Sequence, residues 1–514
     1  MRTLAALLLI AAGLPATVPS QTAQGHVFED LDGDGQRDSG EPGVPGVAVS
    51  NQREVVLTGE DGRYELPVAD EAVIFVSKPS GYAVPLSEDN LPRFFYVHRP
   101  GGSPQSHYRG VDPTGPLPEA IDFPLMRREE SGRFRIVVLA DTQPETGNEL
   151  NHLRDDVFSD FAGADCDFGL VLGDIIFDHL NLFPRYIDLI GATGIPFYHV
   201  VGNHDMNFDA PDDRHANETF IRHFGPDLCS WNHGQVHFVA IDNIIKAEGD
   251  SYSTGFDERA LTWLRNDLAH VPEEHLVVIC THAPIRYQEA SEGRDGHLST
   301  DSAGLMEVLQ SRGRILALSG HTHRTFHHTF GPDDGWTGPG EFRQINCATA
   351  CGAWWSGPTD WRGIPVADQT DGTPNGYTFI EFDGVEYRSE FRAAGFGPGH
   401  QMRIYTPGEH RAEGENVFLV NVFDGHPGSV VTLTLDDGAP VPMERRPQQD
   451  PLAQALYGGP TDSGKPWVNP ALSDHIWQVS LPEIPQPRRP HRLRIDVTQP
   501  DGRLFSQSRI FDLR

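Results

Sequence analysis

Five short islands in the middle of the chain carry side chains that bind metals and move protons. They are Asp141-Thr142-Gln143, Gly173-Asp174, Gly202-Asn203-His204-Asp205, Thr281-His282 and Gly320-His321-Thr322-His323. Together they offer carboxylate, amide oxygen and imidazole nitrogen, and no thiolate. That donor set suits Mn, Fe, Zn, Co or Ni better than calcium or a cysteine-bound structural zinc. A carboxylate set between two cations can bridge them. Two metals about 3.5–4 Å apart clamp a phosphate and acidify a shared water. A single His-x-His or Asn-His pair is common on protein surfaces; five islands in this order point to a dinuclear site.

The elements around the islands explain how they could meet. Strand-like apolar runs at 134–139, 168–172, 197–201, 236–241, 276–279 and 315–318 alternate with helix-like segments at 149–161, 258–268 and 302–311. Such alternation predicts a layered α/β domain. Open α/β sheets place their sites beyond the carboxyl ends of the strands, so islands that each follow an apolar run should converge. The glycines before Asp174, Asn203 and His321 are expected to permit sharp turns that aim the next side chain.

The five islands, in this order, resemble the calcineurin-like metallophosphoesterases, whose pattern runs D-x-H, G-D, G-N-H-D/E, a lone H and G-H-x-H. The resemblance covers roughly residues 133–330. It implies that Asp141, Gln143, Asp174 and His323 hold a first metal, with Asp174 bridging. Asn203, His282 and His321 would complete the second. It gives His204 a place near the leaving group, as general acid or phosphoryl-oxygen donor, with Asp205 orienting its imidazole. Gln143 departs from the commoner histidine, and a neutral amide oxygen should loosen the first metal or favour Mn over Zn. The implied activity is metal-dependent phosphoric ester hydrolysis by direct attack of a metal-bound hydroxide on a monoester or diester, both of which such a ligand set serves. The cofactors are two divalent transition metals (Mn, Fe or Zn). The substrate class is a phosphorylated small molecule, glycan or lipid headgroup.

The flanks read as β structure. Short apolar runs with Gly, Pro and Asp turns predict an N-terminal β-sandwich over residues 25–127, and similar patterns predict a C-terminal β domain over 338–514. The catalytic domain is placed between them at 133–337. The expected fold is therefore a layered metallophosphoesterase β-sandwich core covered by helices, flanked by two all-β domains. This layout is similar to an exported bacterial architecture, and the stretch from Cys351 to Tyr377 resembles the start of its C-terminal domain.

Three further features stand out. Asp30, Asp32, Asp34, Gln36, Asp38 and Glu41 have the spacing of a calcium loop, with Gly35 at its sixth position, but the flanks are not helical. They resemble the calcium loops of bacterial surface β modules, which makes structural Ca a candidate cofactor. Trp354, Trp355 and Trp361 lie among glycines and prolines, either as a plug between domains or as a wall that stacks on substrate. The apolar run from Leu4 to Leu14, with Val18 and Ser20 behind it, reads as a signal peptide over 1–20, which predicts an exported, periplasmic or extracellular protein with no membrane span after cleavage.

Composition limits the partners. Net charge is −33 and lysines number three, so nucleic-acid binding is not expected. The five scattered cysteines do not form a disulfide scaffold, and Cys166 and Cys280 fit buried thiols in apolar strands.

Overall fold

The computed structural model describes residues 21–288, 297–410, 416–459, 465–484 and 489–512. The expected signal peptide, 1–20, lies outside them. Among the described residues no helix is long and apolar enough to cross a membrane.

The middle of the chain is a sandwich of two sheets. In the first, Arg133–Leu139, Phe168–Leu172 and Phe197–Val200 run parallel, and Gly376–Asp383 and Glu386–Ala393 extend the sheet antiparallel. In the second, Val236–Ile241, Leu276–Cys280, Arg314–Ser319 and Glu341–Asn346 run parallel between two antiparallel edges, Leu228–His233 and Phe326–Thr329. Strand side chains alternate faces. Thus Ile136 and Val138 join Leu170, Phe238 and Leu316 between the sheets, while Val137 and Leu139 join Val171, Val157 and Ile187 under the helices. Burial on both faces explains why these strands read as unbroken apolar runs.

Helices cover the outer faces. Glu258–Leu268 starts at Asp257, whose carboxylate accepts from the Ala260 N–H at 2.6 Å. Ala260, Trp263, Leu264 and Leu268 form its buried stripe. The segment predicted as one helix over 149–161 is helical from Gly147 to Phe161 but carries a π-helical stretch at Leu153–Phe158.

Both flanks are β-rich. The N-terminal domain has two four-stranded sheets, and it docks on the sandwich through charged groups shielded from water. The Arg99 guanidinium meets Glu218 at 2.8 Å, and the Lys78 ammonium, paired with Glu130 of the connecting segment at 2.6 Å, donates to the Asn232 carbonyl at 2.7 Å. The C-terminal domain also has two four-stranded sheets, built on Val417–Val422 with Ile476–Ser480 and on Val430–Leu435 with His491–Thr498. The molecule is thus a helix-covered β-sandwich with two β domains beside it.

The expected boundary at 337/338 falls inside the sandwich. Glu341–Asn346 pairs with Arg314–Ser319, and Gly376–Asp383 pairs with Arg133–Leu139, so the catalytic layers close only at Ala393. All five cysteines are unpaired, and of these Cys229, Cys280, Cys347 and Cys351 are buried.

Candidate metal centre

The five islands meet where the carboxyl ends of the two sheets face each other. The first sheet supplies Asp141, Asp174 and Asn203 from the ends of its parallel strands. The second supplies His282, His321 and His323. Asp141, Asp174, Asn203, His282 and His323 are buried.

Asp174, His282 and His321 offer ligand atoms within 4.8 Å of one another. The His282 Nε2 lies 3.0 Å from Asn203 Oδ1, 3.2 Å from Asp174 Oδ1 and 3.1 Å from His321 Nδ1. A second pair lies nearby, with His323 Nε2 3.4 Å from Asp141 Oδ1. The remaining ring nitrogens are committed: His282 Nδ1 donates to the Leu172 carbonyl at 2.8 Å, and His323 Nδ1 donates to the Gly352 carbonyl at 2.6 Å. Those bonds select the tautomer whose Nε2 lone pair faces the centre, as metal-ligating histidines require. The donor set therefore fits divalent transition metals.

Electrostatics agree. Burial works against charge on Asp174, yet the His282, His204 and His321 imidazoles hold it well below the usual carboxylate range. Burial likewise disfavours a charged His282, but the Asp174 and Asp141 carboxylates raise it to about 9. The imidazoles compensate the Asp174 charge here, a part that a bound cation would share. The backbone is strained to build it, since Asp141, Gln143, Asp174, His321 and His323 all have positive φ. Such non-glycine conformations cost about 1–3 kcal/mol each and persist where surrounding structure over-determines them.

Two of the glycines act differently from the sequence expectation. Gly202 and Gly320 do not have positive φ; they make room. A Cβ on Gly202 would lie 2.0 Å from the Asp174 nitrogen, and one on Gly320 would lie 2.2 Å from Asp141 Oδ2. The close approach draws the islands together: the His204 N–H donates to Asp174 Oδ1 at 2.9 Å, and the His321 N–H donates to Asp141 Oδ2 at 2.8 Å.

Gln143 is held at both ends. Its Nε2 donates to Asp174 Oδ2 at 2.9 Å, and its Oε1 accepts from the Trp354 indole N–H at 2.7 Å. An indole N–H can only donate, so the atom beside it must be the amide oxygen.

The expected role of Asp205 is corrected. Its carboxylate faces away from the His204 ring and accepts from the N–H groups of Gly202, Ile175 and Ile176 at 2.9–3.3 Å. It ties the Asn203 turn to the Asp174 turn. Burial, then the Asp174 charge, push it up to about 8. The partner of His204 is Asp178, with Nδ1 to Oδ1 at 2.7 Å. Burial lowers the His204 pKa, but Asp174 and Asp178 outweigh it and raise it above the ordinary value. The only sequence signal for Asp178 was an acid four residues after Asp174, and spacing does not reveal that the loop returns to His204.

The three tryptophans separate. Trp354 stacks on the His323 ring, with centroids 3.9 Å apart and planes at 20°. Trp355 is buried among core side chains beneath the helices. Trp361 is 93% exposed. Phe177 stacks on His204 at 4.4 Å, and Trp467, from the C-terminal domain, stacks on Phe177 at 5.8 Å. No local pattern announced either ring.

In the N-terminal domain, the acidic loop leaves the strand Gln21–Glu29 without a helix. Asp30, Asp32 and Glu41 bring ligand atoms within 4.8 Å, as do Asp32, Asp34 and Asp38. Gln36 turns aside to Asp34. Asp30 accepts from the Gly33 and Gly35 N–H groups, and Glu41 from those of Leu31 and Asp38.

Residues 134–325 match the family described as calcineurin-like phosphoesterase. Residues 32–109 match the N terminal of calcineurin-like phosphoesterase, and 344–505 match the C terminal of calcineurin-like phosphoesterase. A Psychrobacter arcticus protein named "Probable cyclic nucleotide phosphodiesterase" is 26% identical over 181 residues, spanning 32% of this chain and 60% of that protein. The match thus leaves about two fifths of that relative unaligned. Among solved structures, the purple acid phosphatase PPD1 of yellow lupin (Lupinus luteus) seeds is 12% identical, with a TM-score of 0.35, over 72% of this chain and 66% of that one. A metallophosphoesterase from Sphaerobacter thermophilus is 15% identical, with a TM-score of 0.24, over 51% of this chain and 89% of that one. With the five islands gathered on the sandwich and family matches across all three regions, the chain belongs to the calcineurin-like phosphoesterases.

Proposed function

We propose that this protein is an exported phosphoesterase with a dinuclear centre that hydrolyses a phosphate monoester or diester without a covalent enzyme intermediate. The observation that carries the reading is two donor groups joined by the His321 turn: Asp174 with Asn203, His282 and His321, and Asp141 with His323. Asp141, Asp174 and His323 would hold one metal, with the Gln143 oxygen offering the lone pair that the Trp354 N–H leaves free. Asp174, Asn203, His282 and His321 would hold the second. Mn, Fe and Zn suit these donors.

Bound metals supply Lewis acidity toward a phosphoryl oxygen and acidify a water. The chain supplies the rest. His204 stands beside Asp174, with Nε2 at 4.0 Å from Oδ2, and its other nitrogen is held by Asp178. That leaves Nε2 to give a proton or hydrogen bond to the leaving-group oxygen. Phe177 against the His204 ring and Trp354 against the His323 ring keep both imidazoles in place and exclude water from one face of each.

The substrate class is a phosphorylated small molecule, glycan or lipid headgroup, in the periplasm or outside the cell. Structural Ca in the Asp30–Glu41 loop belongs to the same reading and is tested by calcium titration of the Asp30→Asn protein beside the wild type. The main test strips the protein with chelator and restores Mn, Fe or Zn singly. Hydrolysis of p-nitrophenyl phosphate and bis-p-nitrophenyl phosphate should return with about two metals per chain by elemental analysis. Full activity with one metal per chain rejects the dinuclear centre; no hydrolysis of either ester by the loaded protein rejects the reading. Cell fractionation tests export.

A further inference from the structure

Three rings rise in parallel from the metal centre. The His204 imidazole lies under Phe177 at 4.4 Å and 23°, and Phe177 lies under Trp467 at 5.8 Å and 18°. The inner ring touches the reacting group in the proposed mechanism. The outermost indole is 47% exposed. Trp354 closes the corner, standing at 86° to Trp467 with centroids 6.0 Å apart.

The outer indole is held in place despite its exposure. Two residues earlier, Lys465 donates to Glu149 at 2.8 Å and to the Trp354 carbonyl at 3.0 Å, and its side chain is only 9% exposed. One residue later, Val468 is buried. A rigid aromatic surface loses little freedom on binding, which favours it as a recognition element.

We propose that Trp467, backed by Phe177, is the leaving-group subsite, and that it takes a planar aromatic group such as a nucleobase or aryl ring. The proposal rests on the phosphoesterase reading and adds the chemistry of the ester's organic part. Parallel rings extend by adding another parallel ring, and offset stacking favours a flat π-system over the tumbling shape of an alkyl chain. Base–aromatic stacking tolerates any base, so the subsite selects for planarity, not for one base.

The experiment measures binding to the metal-loaded full chain by calorimetry, for wild type, Trp467→Ala and Trp467→Phe. The probes are inorganic phosphate, ribose 5-phosphate, phosphocholine and adenosine 5′-monophosphate. Trp467→Ala should weaken the nucleotide roughly 5- to 100-fold. It should leave phosphate and ribose 5-phosphate within about twofold, and Trp467→Phe should recover most of the loss. An equal loss for ribose 5-phosphate and the nucleotide overturns the planar-group assignment, as does a loss confined to phosphocholine, which would mark a cation–π site. An unchanged nucleotide affinity in Trp467→Ala overturns the subsite itself. Failure of the underlying phosphoesterase reading looks different: wild type would bind none of the four probes in a metal-dependent way. Circular dichroism and a melting curve for Trp467→Ala confirm that the variant is folded.

Discussion

His204 and Asp178 meet through a 2.7 Å contact between Nδ1 and Oδ1, across a loop and a strand end that the chain brings together after 26 residues. The contact fixes which imidazole nitrogen faces the reaction. Asp178→Asn should lower kcat by about 10–100-fold, in line with the loss of a partner that orients a histidine, and leave metal content unchanged. His204→Ala should cost about 10²–10⁴-fold on an ester with a poor alkoxide leaving group, and less with p-nitrophenolate, which leaves without a proton. Equal losses on both substrates would move His204 to phosphoryl-oxygen stabilisation, and loss of metal in either variant would require a new ligand set.

Asp174→Ala should remove metal and activity together. This carboxylate touches the reach of both donor groups, through His282 at 3.2 Å and Gln143 at 2.9 Å. Elemental analysis after dialysis against chelator-treated buffer is the measurement. Two metals retained per chain would sink the bridging role.

Gln143→His tests the departure from the commoner family pattern. The substitution puts an imidazole where the amide now spans Asp174 and Trp354, and should shift metal preference away from Mn toward Zn while retaining some activity. Trp354→Phe keeps the stacking on His323 but removes the N–H that orients the amide, and should weaken the first metal by about 10–100-fold. Competitive metal titration reads both variants. Unchanged affinity and preference in Gln143→His would show that the amide is no ligand.

The C-terminal domain is anchored by a buried pair, Asp371 with His475, at 3.2 Å. Asp371 also accepts from the Thr325 N–H at 2.8 Å, and His475 contacts Asn421 at 2.8 Å. Burial opposes both charges, yet the pair raises His475 above its ordinary 6.5 and lowers Asp371 below its ordinary 3.8. The raised histidine contributes stability below about pH 6.5, lost as pH rises through its folded value. The lowered aspartate contributes above about pH 4, lost as pH falls through its folded value. Resistance to unfolding of this domain should therefore peak between about pH 4 and pH 6.5, and Asp371→Asn should flatten the profile and cost about 3–5 kcal/mol. Urea denaturation across that range checks it; a profile as steep in Asp371→Asn as in wild type would remove the pair from the account.

Ligand types and strand runs were legible because both are local. Asp141, Asp174, Asn203, His282, His321 and His323 are recognisable from residue type and immediate neighbours, and a buried parallel strand shows as a short apolar run wherever it sits. The same locality explains where the sequence stopped. The run 376–383 reads as a strand, and nothing in it names Arg133–Leu139, some 240 residues earlier, as its partner. Its assignment to the second β domain therefore moved to the catalytic sheet. Asp205 and Asp178 are both acids near His204 in sequence or in space, and only the loop's path decides which one meets the imidazole. The Gly202 and Gly320 contacts, the Trp354 bond to Gln143 and the reach of Trp467 over Phe177 are likewise matters of distance between remote segments. Chain neighbours determine what a residue can do chemically; packing of segments far apart in the chain determines which of those chemistries meet.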